Sequence, residues 1–339
     1  MLRSSFKPKR RWRRPLVMLA LAVSVVVLSP VSSSAGPATN GRIVFQRVFW
    51  DPHGHTRQIA LFTVRPDGTD VQRLTDPPAG VETGAPDWSP DGSSIVYVRA
   101  AFGEPPAWSH IIVVGADGTG RVDLTEGHCQ APCRAEEDPA WSPDGKRIAF
   151  VRVAHEVRGI FVMRADGTHR RRVVVPPSDR FVDSAPAWSP KGGRLVFERL
   201  DRRRDAAALF VVRLDDDRTR RITLWTLFGG NRPDWSPDGS WILFQAPIVD
   251  GTTELCVIHP DGTGLRSITK SRDFGWSWAG FSPDGTMITA IRVPGENTEN
   301  DVYVMNADGT GIQAVTDSLP SPAGAPPPAE GLPDWGPAT

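Results

Sequence analysis

The sequence is short of tyrosine, with two, and of cysteine, with three. It lacks GxSxG, HExxH, P-loop and Rossmann glycine patterns, so no linear motif marks an acyl-transfer, zinc-peptidase or nucleotide-binding centre. Net charge is also missing, with 39 basic and 39 acidic residues. The balance is uneven, because residues 1–35 hold seven basic side chains and no acid. The remainder carries −7 and gives no electrostatic reason to expect nucleic acid as a partner. What is abundant is Gly and Pro, 32 of each, which suits many short strands joined by tight turns.

The one long apolar run, Leu16 to Leu28, follows a basic segment and precedes Ser32-Ser33-Ser34-Ala35. It is short for a membrane span. Small residues at Ser33 and Ala35 fit a signal-peptidase site, so residues 1–35 read as a signal peptide, with an uncleaved anchor as the alternative. Arg10-Arg11 leaves the export route open between general and twin-arginine secretion. The body of the protein is expected outside the cytoplasm, periplasmic or secreted, with no membrane insertion after cleavage. In an oxidising compartment Cys129 and Cys133 can close a small disulfide, and Cys256 reads as a buried thiol.

A repeat organises the rest. WSPDG stands at 88–92, 141–145 and 235–239, WSPKG at 188–192, FSPDG at 281–285 and a truncated WGP at 335–337. DGT interleaves at 67–69, 117–119, 166–168, 261–263 and 308–310, with a degraded DDDRT at 215–219. Apolar runs frame both turns, so each unit reads as four short strands A to D. Strand A ends at the aromatic residue: Trp88, Trp141, Trp188, Trp235, Phe281 or Trp335. Six such units predict an all-β, six-bladed propeller. The domain at 40–339 begins on a strand B and ends on a strand A. The two fragments should share the first blade, 42–75 plus 333–337, followed by blades near 86–125, 139–175, 186–223, 233–269 and 279–316.

These WSPDG and DGT pairs resemble the repeats of the TolB-like propeller family across residues 40–339. The resemblance implies the fold and, for TolB itself, periplasmic envelope complexes with a lipoprotein. The α/β domain that precedes the propeller in TolB has no counterpart between the signal and the first strand. Related propellers precede the catalytic domain of prolyl-oligopeptidase-type peptidases.

The repeated motifs are expected to be structural: the aromatics fill the space between blades, and Asp91, Asp144, Asp238 and Asp284 cap turns rather than bind calcium. Function is expected in the connections before strand A, which approach the channel mouth. Those segments supply Glu82, Glu136, Glu137, Asp138, Asp183, Asn231, Arg232, Asp273, Trp276 and Glu330 as candidate ligand-binding residues. His53, His55, His110 and His155 lie in B-to-C loops, spaced too widely for one metal. No catalytic residue, metal or cofactor is assigned. The leading expectation is a monomeric binding or scaffold protein that docks a protein or peptide over the mouth formed by D-to-A and B-to-C loops. A channel-centred lyase or hydrolase acting on glycans or peptides is the alternative.

Overall fold

The computed structural model describes residues 39–50, 57–101, 108–126, 133–154, 157–227, 231–247, 252–271, 274–294, 300–316 and 329–339. The signal segment, His53, His55, Cys129, His155, Asp273 and the Pro320–Pro328 stretch lie outside the described residues, as does the side chain of Cys133. Among the described residues there is no helix.

Six four-stranded antiparallel sheets form the blades. Blade 1 pairs strand A, Ala329–Pro337, with strand B, Asn40–Trp50, in the register Ile43↔Trp335 and Arg47↔Glu330. Strands C and D of that blade are Arg57–Val64 and Gln72–Arg73. The other strands A are Val81–Trp88, Cys133–Trp141, Phe181–Trp188, Asp234–Trp235 and Phe274–Phe281.

The turn chemistry follows from residue type. In the first WSPDG turn Gly92 N–H donates to Ser89 O at 2.9 Å, with Gly92 at φ 70°, a conformation glycine adopts at no steric cost. Asp91 Oδ1 accepts from Ser89 Oγ at 2.6 Å and from Ser93 N–H at 3.0 Å. These bonds hold its carboxyl below the usual carboxylate range. DGT turns work alike: Asp117 Oδ1 accepts from Thr119 N–H at 2.9 Å.

The apolar side chains do not form one core. They form six clusters, each between consecutive blades and each holding the strand-A aromatic of one of them. Trp88 packs with Val44 and Leu61 of blade 1, and Trp335 packs with Ile291 and Val304 of blade 6. A small sheet covered on both faces needs apolar residues on both, which is why the strands do not alternate cleanly.

In five of the six blades strand A begins well upstream of where the sequence pattern starts it; in blade 5 it is only Asp234–Trp235. The sequence pattern starts the blade cores at Pro86, Pro139, Pro186, Pro233, Ala279 and Pro333. In five blades a non-glycine residue just before that position takes a positive φ: Ala85 51°, Asp138 48°, Ala185 49°, Trp278 49° and Leu332 49°. The register shifts there, as between Gly84 and Asp87 and between Glu137 and Ala140. The bulge carries the chain past a residue that lacks an N–H, and pairing resumes beyond it. Glu82, Glu136, Glu137, Asp138, Asp183, Trp276 and Glu330 therefore lie within strand A rather than in a loop.

Candidate functional site

The bulged segments of five strands A, with Arg232, Pro233 and Asp234 of blade 5, line a narrow central cavity of about 80 Å³, the waist of the channel. On the side of the D-to-A connections the channel opens into a cavity of about 310 Å³ between blades 1, 2, 3 and 5. Its wall includes Gln46, Glu82, Glu137, Asp138, Arg232 and Leu332. On the SPDG side a cavity of about 290 Å³ is lined by Trp88, Trp141, Trp188 and Trp335.

The structure thus brings four of the expected residues together: Glu82, Glu137, Asp138 and Arg232. Arg232 of blade 5 reaches past blade 4 to Asp138 of blade 3, with Nη2 to Oδ1 at 2.6 Å. The other Asp138 oxygen accepts from Ala185 N–H at 3.0 Å. One carboxylate therefore joins three blades and forms part of both the mouth and the waist.

Five of the remaining expected residues are committed inside the blades. Glu330 accepts from Arg47 Nε at 2.7 Å, Glu136 from Arg152 Nε at 2.9 Å, and Asp183 from Arg199 Nε and Nη2 at 2.6 and 2.8 Å. All three acids are buried. Each pair occupies the same register between strands A and B. The arginines also lie over strand aromatics, as Arg199 does over Phe210 at 4.8 Å from the ring centroid. Burial raises the Asp183 and Glu330 carboxyls while the bonded arginine opposes the shift. Asn231 is buried, and its N–H donates to Glu198 Oε2 at 2.7 Å. Trp276 is core, edge-on to Phe274 and Tyr303. Among the histidines, His110 is tied within blade 2 to Asp123 at 2.6 Å.

Three residues that sequence reasoning passed over stand in the channel wall: Asp87, Asp234 and Asp334. Each accepts the backbone N–H of the next blade's aromatic: Asp334 from Trp88 at 2.6 Å, Asp87 from Trp141 at 2.6 Å and Asp234 from Phe281 at 2.8 Å. No arginine is hydrogen-bonded to any of the three among the described residues. Enclosure by protein raises Asp234 to about 7 and Asp334 to about 6, and Asp87 rises the same way, helped by the negative charge of Asp334. The available signal was the tripeptide PDW, which occurs at 86–88, 233–235 and 333–335. In the other blades Ala140, Ala187 and Gly280 take the Asp position. Among the described residues no group of three or more His, Cys, Asp or Glu is arranged to hold a metal ion.

The sequence profile of the "TolB beta propeller domain" matches residues 136–328. A stretch of 91 residues is 33% identical to dipeptidyl-peptidase 5 of Porphyromonas endodontalis, covering 26% of this chain and 12% of that protein. The crystal structure of TolB from Acinetobacter baumannii superposes with a TM-score of 0.65 at 19% identity, over 89% of this chain and 68% of that one. A puromycin-hydrolyzing peptidase of Mycobacterium tuberculosis superposes with a TM-score of 0.53 at 18% identity, over 76% of this chain and 41% of that one. The two peptidases thus share with this chain less than half of their own length.

Proposed function

The chain belongs to the TolB beta propeller domain family, and from that premise we propose that it is a non-enzymatic binding or scaffold protein. Its ligand is a protein or peptide docked over the channel mouth. It works outside the cytoplasm, exported by residues 1–35, as a monomer. The observation that carries this reading is the mouth cavity, where Glu82, Glu137 and the Asp138–Arg232 pair surround a wall that also holds Ile59, Val98 and Leu332. Apolar wall with a few convergent polar groups is the usual composition of a binding site. The test is capture from an envelope extract, comparing wild type with the double variant Glu82→Gln, Glu137→Gln. Neither residue is buried, so the variant keeps its melting temperature while losing the partner. No specific partner for wild type, or equal capture by both, defeats the reading.

A channel-centred lyase or hydrolase acting on glycans or peptides is the second reading. Asp234 and Asp334, with carboxyls near neutral pH at the waist, favour it. So does the match to a dipeptidyl-peptidase. Turnover of a mixed peptide or oligosaccharide substrate by wild type, abolished in Asp234→Asn, would establish this reading in place of the first.

A further inference from the structure

Blade 4 departs from the repeat in both of its turns, and the two departures lie side by side. WSPDG becomes WSPKG at 188–192 and DGT becomes DDDRT at 215–219. Between blades 4 and 5, on the SPDG face, lies a groove of about 660 Å³ whose lining includes Arg147, Ser189, Lys191, Arg194, Arg213 and Trp235.

In blades 2, 3, 5 and 6 the turn serine donates its hydroxyl to the turn aspartate at 2.5–2.7 Å. Lys191 cannot accept that proton. Ser189 is buried, accepts from Arg194 N–H at 3.2 Å, and has no carboxylate to donate to among the described residues. The substitution thus leaves a donor and adds a cation at one point in the groove.

The surrounding cations are held in place. Arg147 reaches across from blade 3, donates to Gly192 O at 3.1 Å and lies over the Trp188 ring at 4.5 Å. Arg194 and Lys191 are exposed and have no acidic partner among the described residues. Arg213 is paired with Asp216, and Asp215 and Asp238 also line the groove.

A second groove of the same volume, between blades 1 and 2, supplies the comparison. Its arginines, Arg42 and Arg65, both pair with Asp70, at 2.7 and 3.6 Å, and Asp67 lines the same groove. The charge of the wider region follows the same division. Residues 133–221, blades 3 and 4, hold 20 basic and 14 acidic residues, against 12 and 25 in the rest of 36–339. A domain, residues 36–339, that is acidic as a whole therefore presents one locally positive side.

We propose that this groove is an anion-binding site for a doubly charged oxyanion, a phosphoryl or dicarboxylate group. Arg147, Lys191 and Arg194 supply the charge, and the Ser189 hydroxyl supplies a hydrogen bond. Guanidinium forks match the planar oxygen pairs of either group. The site lies on the opposite face from the mouth, and it stands or falls independently of the docking reading.

The test is isothermal titration of the full chain at low ionic strength with inorganic phosphate and, separately, with succinate. The tighter of the two identifies the source of the oxyanion. The variant Lys191→Asp restores the turn found in the other blades, so it folds, and its affinity falls at least about tenfold. The variant Arg65→Gln in the other groove leaves affinity unchanged. No binding of either anion to wild type up to about 10 mM, or an equal loss in both variants, overturns the proposal. So does undiminished affinity in Lys191→Asp.

Discussion

Strand A of blade 1 carries two acids four residues apart, the buried Glu330 and the partly buried Asp334, and they meet opposite conditions. Glu330 is bonded to Arg47, the strand-B arginine of its own blade, and also to Thr316 of blade 6. Asp334 faces the channel and has the Trp88 N–H, a backbone donor from the next blade. The same division runs around the ring. Glu136 and Asp183 repeat the first arrangement, and Asp87 and Asp234 repeat the second. The difference shows that the bulge sorts strand A into two working parts. Upstream of it, each acid is bonded to a strand-B arginine of its own blade. Downstream, acids tie one blade to the next and keep their protons to unusually high pH.

Deleting residues 329–339 removes both acids together with Trp335, and is expected to abolish cooperative unfolding of the ring. Calorimetry of the truncated chain checks this, and an unchanged transition would overturn the closure of blade 1. Glu330→Ala separates the two parts. It strands the buried Arg47 without a counter-charge and should cost about 3–5 kcal/mol in urea denaturation.

The channel acids should respond chiefly to pH. A carboxyl whose folded pKa lies above its unfolded value holds its proton more tightly in the folded state. Folded stability from Asp234 is therefore greatest near pH 4, falls as pH rises towards about 7, and is level beyond. Asp234→Asn keeps an oxygen acceptor for Phe281 N–H and removes the titration. The variant should gain on wild type as pH rises from 4 to 8, measured as melting temperature. Asp201 of blade 4 provides the reverse sign, because Arg180 lowers its carboxyl to about 2. Its contribution is present above pH 4 and is lost as pH falls from about 4 to 2, so Asp201→Asn should lose on wild type only above that window.

The smallest effect is expected at the bridge between blades. Asp138 and Arg232 are partly exposed, so Arg232→Gln should cost about 1 kcal/mol or less. Its clearer signature is a change in ligand capture at the mouth with the melting temperature almost unmoved.

The fold was legible because it is written six times. WSPDG and DGT each encode a turn through local chemistry, and repetition makes up for the weakness of each copy. The shared first blade could be read from two complementary fragments. The site was legible only in part. Glu82, Glu137, Asp138 and Arg232 were named from their place near the mouth, and they do meet there. Glu136, Asp183 and Glu330 were named for the same reason, yet they point into the blades. Each pairs with a strand-B arginine, Arg152, Arg199 or Arg47, and that pairing depends on a register the sequence does not display. The strand was also cut short at its proline, because a residue without an N–H reads as an end. A bulge with positive φ at Ala85 or Leu332, neither of them glycine, leaves no local trace. The PDW tripeptide was visible, but its inter-blade bond exists only when the ring is closed.

Arg47 and Glu330 are 283 positions apart in the chain. During synthesis, strand Asn40–Trp50 is made early and its partner late. Until residues 329–337 arrive, the first blade presents an unpaired edge, open to pairing with other chains. The closing strand therefore also works as a timer. It delays completion of the ring until residues 329–337 have been made, and during that interval the open edge of the first blade is exposed to its neighbours.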